Sequence, residues 1–261
     1  MLEGGARRLL AGTRFGDVRW HDEVDSTNRL LLELARDGAA EGIVVGAEHQ
    51  RAGRGRLDRT WEAPPGTSLL LSVLTRPVAL APEHVHMVTM AMAIGASDAV
   101  AEVAGFRPQL KWPNDLMVDD RKLGGILAEG LVSSARVDAV VVGIGLNVNW
   151  PSPLPDGLSS IAVSANHIVG RDIDRETLLV RLLQRFDEHY GALVEQGGWR
   201  GTLLNYRRLC ATLGRDVRVE LSGSTISGRA VEVTAEGHLV VETVDGLSHI
   251  AAGDVVHVRP A

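Results

Sequence analysis

The chain has 261 residues, a formal net charge of -6, 45% hydrophobic residues and 23% charged residues. These values are typical of a folded globular protein, exclude a largely disordered chain, and argue against broad attraction to nucleic acid or anionic membranes. One cysteine and nine scattered histidines exclude an internal disulfide and lack the spacing of a zinc site, so we predict no metal site formed by the chain itself.

The sequence shows no signal peptide or membrane-spanning segment. Charged residues are scattered through the first 20 positions. No later stretch approaches the roughly 20 apolar residues that are needed to cross a bilayer. We therefore predict a cytoplasmic protein that does not bind membranes.

Hydrophobic periodicity predicts strands and helices in mixed order over the first part of the chain. The predicted helices cover residues 6–10, 26–38, 82–104, 176–194 and 199–209, with Ser26 or Asp25 as the cap of the second. The predicted strands cover 18–24, 43–47, 67–75, 109–112, 116–118, 122–131 and 137–148. We predict an α+β domain with a mixed sheet flanked by helices, in which the long apolar helix is buried against the sheet.

The pattern changes after residue 214. Short alternating runs at 217–221, 228–233, 239–244, 249–251 and 255–258 are separated by glycines. Strands at this spacing are typical of a small barrel. We predict two domains, residues 1–213 and 214–261.

An arginine-rich segment follows the strand at residues 43–47. Residues 51–62 contain four arginines interrupted by glycines: Arg51, Gly53, Arg54, Gly55, Arg56 and Arg59. Guanidinium groups match the geometry of phosphate oxygens, and glycine allows close approach of the backbone. A solvated charge run on a surface loop explains this segment equally well when it is taken alone.

Three further segments carry polar residues or glycines at strand ends. Residues 111–115 read Lys-Trp-Pro-Asn-Asp, which by itself is also good turn chemistry. Residues 122–129 and 143–149 place glycines inside apolar strands. Glycine there sacrifices packing, so two such strands side by side predict a smooth floor for a slender ligand, although a glycine bulge is the alternative for each strand alone.

These four segments, in this order, resemble the biotin protein ligase family. The resemblance extends over roughly residues 20–150, and the strand-rich tail is similar to the family's small SH3-like C-terminal β-barrel domain. It implies a catalytic domain of the class II aminoacyl-tRNA synthetase and biotin ligase type. It also implies an enzyme that uses ATP and Mg²⁺ to convert biotin to biotinyl-5'-AMP. Biotin is then transferred to a lysine of the biotin carboxyl carrier domain of a carboxylase.

The resemblance also implies roles for individual residues. Lys122 would bridge the biotin carboxylate and the α-phosphate, Arg56 would contact the phosphoryl group, and Asp115 would orient Lys122 or the incoming amine. Ser26, Thr27 and Gln50 would bind the biotin ureido ring, Trp61 would pack against adenine, and Asn147 would bond the nucleotide. The full implied binding set is Ser26, Thr27, Asn28, Gln50, Gly53, Arg54, Arg56, Trp61, Lys122, Gly125, Ile126, Gly143 and Asn147.

The chain departs from the family pattern at two places. Asp58 stands where the family's arginine loop has its third glycine, so we expect altered loop ordering or retention of the intermediate. Only about 20 residues precede the first matching segment, so we expect no DNA-binding domain and no nucleic-acid partner. As a separate expectation, the protein is a monomer or a weak homodimer.

Three alternatives remain at the level of sequence. A lipoate or octanoyl ligase would share the fold and a lysine, but such enzymes lack the arginine loop and the Lys-Trp-Pro-Asn-Asp segment. A non-catalytic biotin or nucleotide sensor would not need Lys122. An RNA-binding protein is disfavoured by the negative charge and by the 4% aromatic content.

Overall fold

The structure is a computed structural model that describes residues 4–133, 136–154, 157–221 and 223–258. Its larger sheet has seven strands: β1 Asp17–Val24, β2 Ile43–Gln50, β3 Ser68–Thr75, β4 Gln109–Lys111, β5 Asp115–Val118, β6 Arg121–Ser133 and β7 Arg136–Asn147. Their order is β1-β2-β3-β7-β6-β5-β4. The pair β1–β2 is parallel and the other pairs are antiparallel, which confirms the predicted mixed sheet.

Helices cover both faces of this sheet. They are α1 Gly4–Leu9, α2 Thr27–Arg36, α3 Met87–Ala104, α4 Ala165–Val169, α5 Arg175–Val194 and α6 Trp199–Leu209. The large core cluster packs α3 and α5 against one sheet face, while α2 covers a smaller apolar cluster on the other face. The strands therefore carry buried side chains on both faces, with different neighbours on each.

Strand β7 shows how alternation divides the two faces. Val140 and Val142 belong to the large cluster beneath α3 and α5, whereas Ala139 and Val141 belong to the cluster beneath α2. Successive side chains of a strand point to opposite faces. Gly143 and Gly145, which continue the odd-numbered series, therefore lie on the α2 face of the sheet.

The segment predicted as one helix over residues 82–104 is divided in the structure. Pro82–His84 forms a 3₁₀ turn, and the α-helix begins at Met87. By length and composition this segment is apolar enough to span a membrane, which corrects our reading that no segment approached that length, but 72% of its apolar window is buried inside the protein. It packs closely on α5, because a Cβ at Gly95 would lie 3.1 Å from the Phe186 Cα. The apolar character thus serves the core.

The structure contains one helix that was not predicted, and several strands, β2 and β9 among them, are longer than the predicted runs. Helix α4 was not predicted, because its five residues are too few to show a helical period. Strand β2 extends to Gln50, three residues beyond the predicted run, because Glu23 and Val24 of β1 pair with His49 and Gln50. The β1–β2 pairing thereby carries the backbone up to the start of the arginine loop.

The C-terminal region forms an antiparallel five-stranded sheet. Its strands are β8 Asp216–Leu221, β9 Ser224–Val233, β10 Leu239–Thr243, β11 Gly246–Ile250 and β12 Asp254–His257, in the order β11-β10-β9-β8-β12. It docks on the larger domain through the indole of Trp112, which donates to the Gly237 carbonyl at 2.9 Å, and through an Arg215–Asp120 ion pair. The predicted boundary near Gly214 stays a prediction.

Candidate active site

A cavity lies between the arginine loop and the α2 face of the large sheet, and its volume is about 130 Å³. The start of α2, the end of β2, the loop after it, the β4–β5 turn, strands β6 and β7, and the start of β12 all contribute side chains to it. Its lining includes twelve of the predicted site residues: Ser26, Thr27, Asn28, Gln50, Arg54, Arg56, Trp61, Asp115, Lys122, Gly125, Ile126 and Gly143. Residues separated by about 100 positions in sequence thus meet at one place.

The floor of the cavity is made by glycines on β6 and β7. Gly125 pairs with Gly145 across these strands, and Gly143 pairs with Leu127. The space above the glycines is used by the protein's own side chains: a Cβ at Gly145 would lie 2.4 Å from the Trp61 ring, and one at Gly143 would lie 2.1 Å from Asn28 Oδ1. The expected bare floor is therefore partly covered by Trp61 and Asn28.

The position of Lys122 depends on a β-bulge. Leu116 of β5 pairs with Gly124 while Met117 pairs with Lys122, so Leu123 is an extra residue on β6. A bulge shifts the alternation of side chains by one position. As a result the Lys122 side chain turns toward Gly125, and its Nζ lies 2.7 Å from Asp115 Oδ1 and 5.5 Å from the centre of the Trp61 ring. Asp115 therefore contacts Lys122 directly, and its two predicted roles stay predictions.

The four cations that line the cavity differ in their partners. Arg54 pairs with Glu129 at 2.8 Å, Arg59 pairs with Asp254, and Lys122 pairs with Asp115. Arg56, in contrast, donates to the neutral amide oxygen of Asn114 at 3.3 Å and has no carboxylate at ion-pair distance in the described chain.

The environment of Arg56 favours an incoming anion. Burial lowers the pKa of the Arg56 guanidinium from its ordinary value, although nearby Asp254 and Asp115 oppose that shift. A lowered pKa means that the charged form is poorly solvated in this position. Arginine remains protonated at neutral pH, so an anion bound here would replace the solvation that the side chain has lost.

The N-terminus of α2 provides a cluster of buried polar groups. Ser26 caps the helix, and the Thr27 backbone N–H and Oγ1 both donate to Gln50 Oε1, at 2.8 and 3.1 Å. Ser72 Oγ donates to Asn28 Oδ1 at 2.5 Å. Donors and acceptors fixed in this way suit a small planar group with both N–H and C=O functions, such as a ureido ring.

Two predicted residues do not line the cavity. Gly53 lies at the base of the arginine loop, where its carbonyl accepts from the Trp61 N–H at 3.0 Å. Asn147 is buried and donates through Nδ2 to the Val163 carbonyl at 3.1 Å, while its Oδ1 has no partner among the described residues. Gly53 therefore shapes the loop, and a role for Asn147 in nucleotide binding stays a prediction.

Several lining residues were not assigned from the sequence. Asn114, Gly145 and Arg59 lie within the motifs, and their positions in those motifs were the available signal. Asp254 comes from β12, about 200 positions from the arginine loop in sequence, and carries no motif. Only the docking of the C-terminal sheet brings it to the cavity.

The departure at Asp58 has a visible conformation. Leu57 and Asp58 have φ values of +54° and +56°, in the left-handed region that glycine adopts without a steric cost. Aspartate tolerates this region better than most residues, and leucine does not. The loop tip therefore keeps the backbone path that a glycine would allow, at some cost in strain.

Comparison with known proteins identifies the family. Residues 20–147 match the model of the biotin/lipoate A/B protein ligase family, and residues 212–258 match that of the biotin protein ligase C-terminal domain. The chain is 35% identical over 246 residues to the biotin--[acetyl-CoA-carboxylase] ligase of Mycobacterium tuberculosis, covering 91% of this chain and 87% of that protein. The chain belongs to the biotin protein ligase family.

Other biotin protein ligases agree with this assignment in sequence and in fold. The bifunctional ligase/repressor BirA of Bacillus subtilis is 33% identical over 237 residues, which is 90% of this chain and 72% of the relative. The biotin protein ligase from Aquifex aeolicus, solved in complex with biotin and ATP, superposes with a TM-score of 0.79 at 28% identity. That match covers 94% of this chain and all of the other. The predicted family and fold are confirmed.

Proposed function

We propose that the protein is an ATP-dependent biotin protein ligase that biotinylates the carrier domain of a biotin-dependent carboxylase. The observation that carries this proposal is the convergence of Lys122 and the unneutralised Arg56 above a glycine-lined cavity. The substrates are biotin and ATP, which the Aquifex aeolicus relative binds in its solved complex.

The residues around the cavity fit these substrates. The indole N–H of Trp61 is buried without a partner in the described chain, and its ring lies directly against the backbone of Gly145. An unpaired buried donor and a closely approached backbone are features of a site that awaits a flat polar ligand.

The first chemical step is the attack of the biotin carboxylate on the α-phosphorus of ATP, which forms biotinyl-5'-AMP and releases pyrophosphate. Two anions must approach each other, so cations aimed at both reduce the repulsion. We expect Lys122, which lines the cavity, to serve both the carboxylate and the α-phosphate, and Arg56 to stabilise the charge that develops on the phosphoryl oxygens.

Magnesium would add charge neutralisation on the phosphates. Among the described residues, no group of three or more His, Cys, Asp or Glu side chains is arranged to hold a metal ion. Mg²⁺ in nucleotide sites is commonly bound through substrate phosphates, waters and one or two carboxylates. Asp115, whose carboxylate lines the cavity, would hold the ion together with the phosphates.

In the second step the ε-amine of the carrier lysine attacks the acyl carbon, and AMP leaves. The amine must lose a proton and approach an acyl adenylate that water would otherwise hydrolyse. Asp115, 2.7 Å from the Lys122 Nζ, would orient that lysine or the incoming amine. The arginine loop excludes water above the intermediate.

Other functions are less well supported. The match of residues 212–258 to the biotin protein ligase C-terminal domain and the full-length similarity to biotin ligases favour biotin over lipoate or octanoate. The Lys122–Asp115 pair disfavours a sensor that only binds ligand. We further propose that the protein acts in the cytoplasm, as a monomer or weak homodimer, and without a nucleic-acid partner.

The decisive experiment mixes the purified protein with biotin, ATP, Mg²⁺ and a biotin carboxyl carrier domain, and weighs the carrier by mass spectrometry. We expect the carrier to gain one biotinyl group, and only when ATP is present. Lipoate and octanoate replace biotin in parallel reactions. Modification by either of these in preference to biotin, or no modification at all while biotin binds, would overturn the proposal.

A further inference from the structure

The C-terminal sheet contributes one carboxylate to the cavity. Asp254 is the first residue of β12, and its pairing with Glu220 of β8 holds its backbone in that sheet. Its side chain reaches out of the sheet, pairs with Arg59 and lines the cavity beside Arg56. One residue of a separate sheet thereby contacts the loop that covers the site.

Arg59 and Arg56 belong to the same tight turn. The Gly55 N–H donates to the Arg59 carbonyl at 2.6 Å, and the Arg59 N–H donates to the Arg56 carbonyl at 3.2 Å. A bridge between Arg54 and Thr60 closes the base of this turn. Because the turn is closed by its own hydrogen bonds, a contact that holds Arg59 also restricts the position of Arg56.

The turn depends on contacts outside itself. Leu57 and Asp58 at its tip both have positive φ, a conformation that costs free energy in residues other than glycine. Among the described residues, three side-chain contacts attach the turn of residues 54–60 to the rest of the protein: Arg54 with Glu129 on β6, Arg56 with Asn114 in the β4–β5 turn, and Arg59 with Asp254 on β12. Only the third of these comes from the C-terminal sheet.

We propose that Asp254 is a positioning residue that clasps Arg59 and so holds the arginine loop closed over the acyl adenylate. The C-terminal domain then controls how long the intermediate stays bound before transfer. This proposal rests on the proposed ligase function and extends it with a residue that touches the loop rather than the reacting atoms.

The strength of the clasp follows from its exposure. The Arg59 side chain is 65% exposed and that of Asp254 is 25% exposed. A partly exposed ion pair contributes weakly, so its loss changes an equilibrium by about twofold to fivefold. The clasp is therefore weak enough to open for substrate entry and for the carrier lysine, and strong enough to slow escape of the intermediate.

The test measures the release of preformed biotinyl-5'-AMP from the full-length protein in single-turnover conditions. We expect Asp254→Ala and Arg59→Ala each to release it about twofold to fivefold faster, and the double variant to be no faster than either single one. Asp254→Glu, which keeps the carboxylate, is expected to restore the wild-type rate.

The matched control is Asp216→Ala, which removes an exposed carboxylate at the start of β8 in the same sheet, away from the cavity. It is expected to release the intermediate at the wild-type rate. Unchanged or slower release from Asp254→Ala, or additive effects of the two single substitutions, would overturn the clasp. Failure of the wild-type protein to form biotinyl-5'-AMP would instead overturn the ligase function, so the two failures are distinguishable.

Discussion

The two faces of strands β6 and β7 use the same backbone for opposite purposes. On the α3 and α5 face, Val140, Val142 and Leu146 are buried in a continuous aliphatic core. On the other face, the same strands carry Gly125, Gly143 and Gly145, which leave room for Asn28 and for the indole of Trp61. Large side chains stabilise one face, and their omission from the other creates the cavity.

This difference separates residues that determine stability from residues that determine chemistry. Burial of aliphatic side chains stabilises the fold in proportion to the apolar area removed from water. Glycine in a strand gives up that contribution. Substitutions on the α3 and α5 face should therefore change the free energy of unfolding with little effect on ligand affinity. Substitutions on the cavity face should change ligand affinity with little effect on the free energy of unfolding.

The largest effect on activity is expected from Lys122→Ala. Loss of the cation that faces both reacting anions should reduce biotin-dependent exchange of labelled pyrophosphate into ATP by about a hundredfold to a thousandfold. The urea midpoint should change little, because the side chain is partly exposed at the cavity edge. Arg121→Ala, one residue earlier on β6, is the matched control, and exchange at the wild-type rate in Lys122→Ala would remove that residue from the mechanism.

Gly145→Ala should weaken nucleotide binding. The added Cβ would lie 2.4 Å from the Trp61 ring, so the indole must move away from its position against strand β7. Because stacking of a base on an aromatic side chain contributes about 1–3 kcal/mol, we expect ATP affinity measured by calorimetry to fall about tenfold to a hundredfold. Gly201→Ala in α6, where no atom lies within 4 Å of the added Cβ, should leave ATP affinity unchanged.

Leu69→Ala tests the face of the sheet that packs against α3 and α5. Leu69 of β3 is fully buried in the large core cluster. Truncation of such a residue costs about 2–5 kcal/mol, since it removes burial and leaves a cavity. Urea unfolding should show this loss, while biotin affinity under native conditions stays near that of the wild type. A large loss of biotin affinity without destabilisation would contradict the division of the two faces.

The smallest effect is expected at His86, at the edge of the helix layer against Gly237. Burial lowers the pKa of His86 to about 4. His84 and His238 also lower this pKa, whereas Glu83 and Glu236 raise it. The unfolded chain binds the proton more readily, so the stability that neutral His86 provides is fully present above about pH 6.5 and is lost as the pH falls toward 4. The loss amounts to at most about 3 kcal/mol.

His86→Gln should therefore be less sensitive to acid than the wild type. Urea unfolding at about pH 7 and about pH 4.5 measures the difference. Only above the ordinary histidine pKa should the free energy of unfolding depend on pH in the same way in the two proteins. Equal loss of stability on acidification in both proteins would show that the protonation of His86 does not contribute to acid destabilisation.

The sequence by itself determined the strands, most of the helices and the family. Of the fourteen site residues that it predicted, twelve line the cavity. This was possible because glycines inside apolar strands and arginines beside glycines are local patterns, readable without knowledge of neighbours. The arrangement of α2 behind Ser26 was likewise local, since a capping residue acts within its own helix turn.

Four features were decided by the tertiary structure. The bulge at Leu123 aims Lys122 at the cavity, although simple alternation would not. The docking of the C-terminal sheet brings Asp254 to Arg59. The glycine floor holds Trp61, and Asn147 bonds to Val163 outside the cavity lining. Each depends on contacts between segments far apart in sequence, and such contacts leave no period or motif in the segments that make them.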